Sequence, residues 1–149
     1  CAILKNNRSM IDILINRLTG QVVIKVSPNE FTFSWRGKSV KIKTYVHLFD
    51  DNGYYRILGI GADFEGSSRC TRVELFSEKL PPNDRILRPK LLELFIRFGL
   101  QKIIGRRSIM RPTVVFEKTH NIAKILSGYQ NSVLIEAAYK AGAYSVQIN

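Results

Sequence analysis

Between Gln21 and Leu48 apolar and polar positions alternate: Val22, Ile24 and Val26, then Phe31, Phe33 and Trp35, then Val40 and Ile42, with Tyr45 and Val46 continuing the run. Successive side chains of a strand point to opposite faces, so a period of two predicts strands with one buried face. Ser27-Pro28-Asn29 and Gly37-Lys38 interrupt the stretch as turn signals, which predicts a three-stranded antiparallel meander. Asp50-Asp51-Asn52-Gly53 is a strong turn, and Tyr54 to Ile60 resumes strand character. Residues 62–72 read as a polar loop and Val73 to Phe76 as a brief strand. The Leu80-Pro81-Pro82-Asn83-Asp84 cluster reads as a linker.

Elsewhere the period lengthens to that of a helix. Met10, Ile11, Leu14, Ile15 and Leu18 share one face of a short helix over residues 9–19, with Asn7 or Ser9 as cap and Gly20 at its end. Pro89 suits a first helical turn, and Leu91, Leu92, Phe95, Ile96, Leu100 and Ile103 form a broad apolar face that stops at Gly105. A strand is predicted at Thr113 to Phe116, helix at Ile122 to Leu126 and at Ser132 to Ala141 with a break at Ser127-Gly128, and a last strand at Tyr144 to Ile148. Single strands joined by helices imply right-handed crossovers and parallel pairing. The fold class is therefore α/β, a mixed sheet whose antiparallel N-terminal meander is followed by helix, strand, helix, strand. One domain is expected over 1–149, with a strand-rich half at 21–76 and a helix-strand half at 86–148.

Composition sharpens this picture in places. With 149 residues, 45% of them hydrophobic, the chain has enough apolar content for a core without disulfides or metal. It begins at Cys1 rather than at an initiator methionine, as a piece of a longer protein would. No apolar run reaches the roughly 18 residues of a membrane span. Cys1 and Cys70 are too few for a disulfide framework, and with His47 and His120 they lack any metal-ligand spacing, so no metal or cofactor is expected and the cytoplasm is the expected compartment. The acids show no strand-embedded cluster, and no nucleophile or nucleotide-binding glycine motif is present, so the chain reads as non-enzymatic.

The charge, 23 Lys and Arg against 12 Asp and Glu, gives +11 and favours an anionic partner: nucleic acid, a membrane surface or an acidic protein face. Arg97, Lys102, Arg106, Arg107 and Arg111 gather at and beyond the end of the long helix, a candidate anion-binding patch. Phe31, Phe33 and Trp35 read as core, with the stacking of single-stranded RNA as the alternative. The helix over 9–19, flanked by Lys5, Arg8 and Arg17, reads as packed on the sheet, with a peripheral membrane contact as the alternative.

Two segments carry a resemblance. Leu91 to Ile104 followed by Arg111-Pro112-Thr113-Val114-Val115, and Glu136-Ala137-Ala138-Tyr139-Lys140-Ala141-Gly142-Ala143-Tyr144-Ser145-Val146, resemble the corresponding helix, strand and Ala-Gly-Ala segments of MreB-type bacterial actins, the rod-shape-determining proteins. The resemblance implies a ribonuclease-H-like, actin-like topology and places the chain in the N-terminal part of the first actin-like domain. It also implies a protein partner, either a second copy or a cytoskeletal protein, a role in cell shape, and an amphipathic membrane-binding segment where residues 9–19 stand. The family's first hairpin carries an Asp-x-Gly-Thr phosphate loop. The aligned run here is Lys25-Val26-Ser27-Pro28, with lysine for the acid, serine for the glycine and proline for the threonine. Proline has no N–H to offer a phosphate, and serine lacks glycine's access to positive φ. The resemblance therefore implies a degenerate loop at Lys25, Ser27 and Pro28 and a lost nucleotide site.

Overall fold

The computed structural model describes residues 20–61, 70–76, 87–105 and 111–149. The helix expected over 9–19, with Met10, Ile11, Leu14, Ile15 and Leu18, lies outside these residues, as do the expected linker at 80–84 and Arg106 and Arg107.

The meander forms as its alternation dictates: β1 (Gln21–Val26), β2 (Glu30–Trp35) and β3 (Lys38–Lys43) pair antiparallel in that order. Arg36 and Gly37 both take positive φ between the paired Trp35 and Lys38, the two-residue turn whose twist suits a hairpin. Next comes a second hairpin, β4 (Tyr45–Asp51) and β5 (Tyr54–Ile60), closed by Asn52 and Gly53, both also at positive φ. Strand β6 (Cys70–Glu74) starts three residues before the brief strand that its sequence suggests. It does so because Cys70, Thr71 and Arg72 pair with Phe49, Leu48 and His47.

Helix α1 (Leu87–Ile104), strand β7 (Thr113–Glu117), helix α2 (Gln130–Lys140) and strand β8 (Ser145–Ile148) complete the chain. Strands β7 and β8 join β1 in parallel, giving a five-stranded mixed sheet of order β3-β2-β1-β7-β8. The remaining strands form a second, antiparallel sheet of order β5-β4-β6.

The segment over Ile122 to Leu126 departs from expectation. A 3-10 turn spans Thr119–Ile122 and irregular turns follow, in place of the expected helix. Ile122, Ile125 and Leu126 have helical spacing, but Ser127 and Gly128 are both left-handed, and Gly128 N–H closes back on the Ala123 carbonyl. The chain thus reverses before a helical run becomes long enough to be stable.

The core lies on one face of the five-stranded sheet. Val22, Ile24, Val26, Phe31, Phe33, Ile42, Val114 and Phe116 point there, and α1 covers them with Leu92, Phe95, Ile96 and Ile103. Phe31 is the aromatic centre, edge-on to Phe95 at 5.3 Å and stacked on Phe76 at 5.5 Å. Phe76 and Leu75, directly after β6, bring the second sheet into the same core together with Val46 and Leu48. The helix approaches the sheet closely at Gly99, where an added methyl carbon would overlap the Phe33 ring. No residue larger than glycine fits there without moving the ring.

Candidate functional site

In sheets of this kind ligands bind outside the carboxyl ends of the parallel strands, where the chain order diverges from a central strand. Here that place is the end of β1, next to β7, and the Ser27–Asn29 turn stands over it. One side chain from after β7 reaches it. Asn121, on the 3-10 turn after β7, donates from Nδ2 to the Val26 carbonyl at 2.9 Å. Beneath it Ile122 and Thr119 are buried. The left-handed Lys118 turns the chain from β7 into this contact.

The turn itself is tied down from the other side. Thr44, between β3 and β4, donates its hydroxyl to the Pro28 carbonyl and its N–H to the Asn29 carbonyl at 3.1 Å. The turn's bonds to Thr44 and Asn121 thus run through its carbonyls, whereas a phosphate cradle presents N–H groups. Among the described residues, those other than glycine at positive φ lie outside this turn, at Arg36, Asn52, Lys118 and Ser127. Of the three residues singled out in the sequence, Ser27 and Pro28 sit in this turn and Lys25 lies exposed on β1, its register partner on β7 being Glu117. The side chain of Lys25 is on the sheet face opposite Ile24 and Val26, away from the core.

Beside the turn a cleft of about 270 Å³ separates the two sheets. Its charged walls cancel: Glu30 and Glu74 face Lys43 and Arg72. Arg72 is already engaged, its guanidinium 3.9 Å from the centre of the Tyr45 ring and 3.7 Å from the Glu74 carboxylate. Balanced charge of this kind does not make an anion site.

Of the basic cluster, Arg97, Lys102 and Arg111 are among the described residues. Arg97 donates to Glu93 Oε1 at 2.9 Å and to the Lys140 carbonyl at 2.8 Å, joining α1 to the C-terminus of α2. Glu93 is 7% exposed and also receives Lys90, so Arg97 neutralises a buried acid and satisfies a helix-end carbonyl. Lys102 lies over the Phe98 ring at 5.6 Å, and Arg111 is exposed. Phe31 and Phe33 are wholly buried, which removes them as stacking platforms for bases, and half-buried Trp35 carries Arg36 over its ring at 4.8 Å. Among the described residues no three His, Cys, Asp or Glu side chains gather as a metal site, and no helix is long and apolar enough to cross a membrane.

Thr44 and Asn121 are the residues that sequence reasoning missed. Thr44 carried a signal, a polar residue where the alternation of β3 stumbles into β4. Asn121 carried none, because its partner lies 95 residues away.

No family model matches the chain, and no characterised protein matches it by sequence. By structure it is similar to MreB 5 of Spiroplasma citri, solved bound to AMPPNP, with a TM-score of 0.55 and 13% identity over 87% of this chain. This chain spans 38% of the length of that one. With the mixed five-stranded sheet and its two crossover helices, that likeness assigns the fold: the chain is an α/β protein of actin-like fold.

Proposed function

We propose that the chain is a non-enzymatic actin-like module that acts through protein–protein contacts and has lost its nucleotide site. The observation that carries this reading is the turn after β1: Asn121 and Thr44 bond its Val26 and Pro28 carbonyls, and it has a proline where a nucleotide-binding relative turns an N–H to phosphate. The Lys25-Val26-Ser27-Pro28 run supports it chemically, since Pro28 removes a donor and Lys25 stands where an acid would support a metal's water shell. The actin-like fold and the MreB-like segments supply the cell-shape or cytoskeletal setting. A fold hosts many functions, so the proposal rests on this turn more than on the architecture.

Calorimetric titration with ATP and magnesium is expected to give no binding heat, and the protein no hydrolysis above background. Micromolar binding together with magnesium-dependent hydrolysis would overturn the reading. Nucleic acid is the competing partner, and it is less well supported because Arg97 is bound internally and Phe31 and Phe33 are buried. Affinity for any oligonucleotide that falls steeply with salt would restore it.

A further inference from the structure

The second sheet has an edge with little protection. Among the described residues strand β5 pairs with β4 on one side only, and no other described strand lies beside its outward N–H and C=O groups. Four of its seven residues are large apolar side chains left in solvent: Tyr54 at 79% exposure, Tyr55 at 56%, Leu58 at 42% and Ile57 at 36%. Its one charge is Arg56. Exposed apolar edges recruit further strands, and proteins usually guard them with lysine, proline or a bend. The other sheet follows that rule, because its edge β3 presents Lys38, Lys41 and Lys43 to solvent.

We propose that β5 is the pairing edge for a second copy of this chain, forming a two-fold antiparallel ribbon through Gly53 to Ile57. The proposal deepens the protein-contact reading above and rests on it, but it is tested separately from the nucleotide claim.

The register follows from the strand's own features. A shift in the β4–β5 ladder between His47 and Leu48 leaves Leu58 without a partner, so β5 bulges there and regular pairing ends at Ile57. A two-fold axis perpendicular to the sheet must place side chains of one face opposite each other. Centred on Arg56 it would oppose two like charges, which is unfavourable. Centred on Tyr55 it sets Tyr55 against the other copy's Tyr55, and Arg56 against the other copy's Tyr54. The ladder pairs Tyr54 with Asp51 and Arg56 with Phe49, so each Arg56 meets an aromatic ring with an acid just beyond it.

Charge supports a self-pair at this edge. The hairpin from Tyr45 to Ile60 carries Asp50, Asp51 and Arg56, so it is slightly acidic within a chain of net charge +11. Two copies meet here without the repulsion that the lysines of β3 would impose. Covering the exposed tyrosines and their neighbours on both copies would bury on the order of 1,000 Å² in total, the lower end for a specific pair and suited to a reversible dimer.

Sedimentation velocity over a concentration series is expected to show a monomer–dimer equilibrium. Tyr55→Asp, which puts two acids face to face, should raise the dimer dissociation constant roughly tenfold or more while leaving the melting temperature of the dilute monomer nearly unchanged. In a background with Cys1→Ser and Cys70→Ser, Tyr55→Cys should form an intermolecular disulfide under mild oxidation. Directly opposed residues in an antiparallel pair stand about 4.5–5.5 Å apart at Cα, within disulfide reach. Leu58→Cys, which has no such opposite, should not cross-link. A monomer at every concentration would overturn the proposal and leave the edge to an extended segment of another protein. So would a dimer indifferent to Tyr55→Asp, open-ended oligomers, or equal cross-linking at positions 55 and 58. Nucleotide binding by a protein that still dimerises in this way would fail the nucleotide claim alone.

Discussion

The two sheets put their apolar side chains to opposite ends. In the five-stranded sheet Val22, Ile24, Val26, Phe31 and Phe33 are completely buried and the free edge at β3 is lined with lysine. In the three-stranded sheet the central strand β4 is buried at Tyr45, Val46, His47 and Leu48, yet its neighbour β5 leaves two tyrosines, an isoleucine and a leucine in water. A helix explains the difference. Helix α1 covers β2 and β3, whereas among the described residues no helix of the fold packs on β5. An apolar strand therefore marks a surface suited to burial, and the fold decides whether the chain covers it itself or leaves it in solvent.

The largest effects are expected where α1 meets β2. Phe33→Ala should cost about 3–5 kcal/mol in denaturant unfolding, the usual loss for a fully buried aromatic. Gly99→Ala alone should cost about 1–3 kcal/mol or more from overpacking against the same ring, although alanine is the better helix former. The two changes should couple: in the Phe33→Ala background, Gly99→Ala should be neutral or stabilising. Additive losses would show that Gly99 does not set the helix–sheet spacing.

That contact also marks how far the sequence could be read. The meander, the 18-residue helix and the parallel strand at Thr113 are legible because their periods are regular and sustained. The mixed sheet with two helical crossovers follows from their order, and the actin-like topology from the resemblance of residues 91–115 and 136–146 to MreB-type proteins. The division into two sheets was not legible. Tyr45 to Leu48 are all buried, so alternation disappears where the chain passes from one sheet to the other. The switch depends on Thr44, which bonds the Asn29 carbonyl through its N–H and accepts from the Leu75 N–H through its own carbonyl. At the candidate site, the altered turn chemistry could be read from Ser27 and Pro28, but the bond that closes Asn121 onto the Val26 carbonyl could not, because Asn121 comes from the far side of a crossover. Arg97 shows the same limit: its buried partner Glu93 is evident only once the helix has packed.

Asn121→Ala tests that closure with a smaller effect. Loss of the bond to Val26 should cost about 1 kcal/mol, the net contribution of an ordinary hydrogen bond. A loss within error would mean that water replaces the amide without penalty and that the end of β1 is open. Smaller still is the response of β5. Single changes Tyr54→Ser and Leu58→Ser should move the unfolding free energy of the monomer by no more than about 0.5 kcal/mol, as for surface positions generally. A loss of several times that size would place β5 inside the core and erase the contrast between the sheets.

The smallest effect concerns the exposed end of α2. Lys140 lies 2.9 Å from Glu136 one turn earlier, and its pKa is raised above the ordinary 10.5, chiefly by the hydrogen bond to that carboxylate and then by its charge. A lysine that binds its proton more tightly in the folded state contributes stability fully below the ordinary lysine value and loses it as pH rises through the raised one. The pair therefore acts at neutral pH and fades only in strong alkali. Glu136→Gln should return the Lys140 titration, followed by NMR at the side-chain amine, toward 10.5, with no resolvable change in melting temperature at pH 7, since solvent screens an exposed pair of this kind. A Lys140 titration unaffected by Glu136→Gln would show that the pair does not hold in solution, and would leave the Arg97 bond to the Lys140 carbonyl as the tie on this helix end.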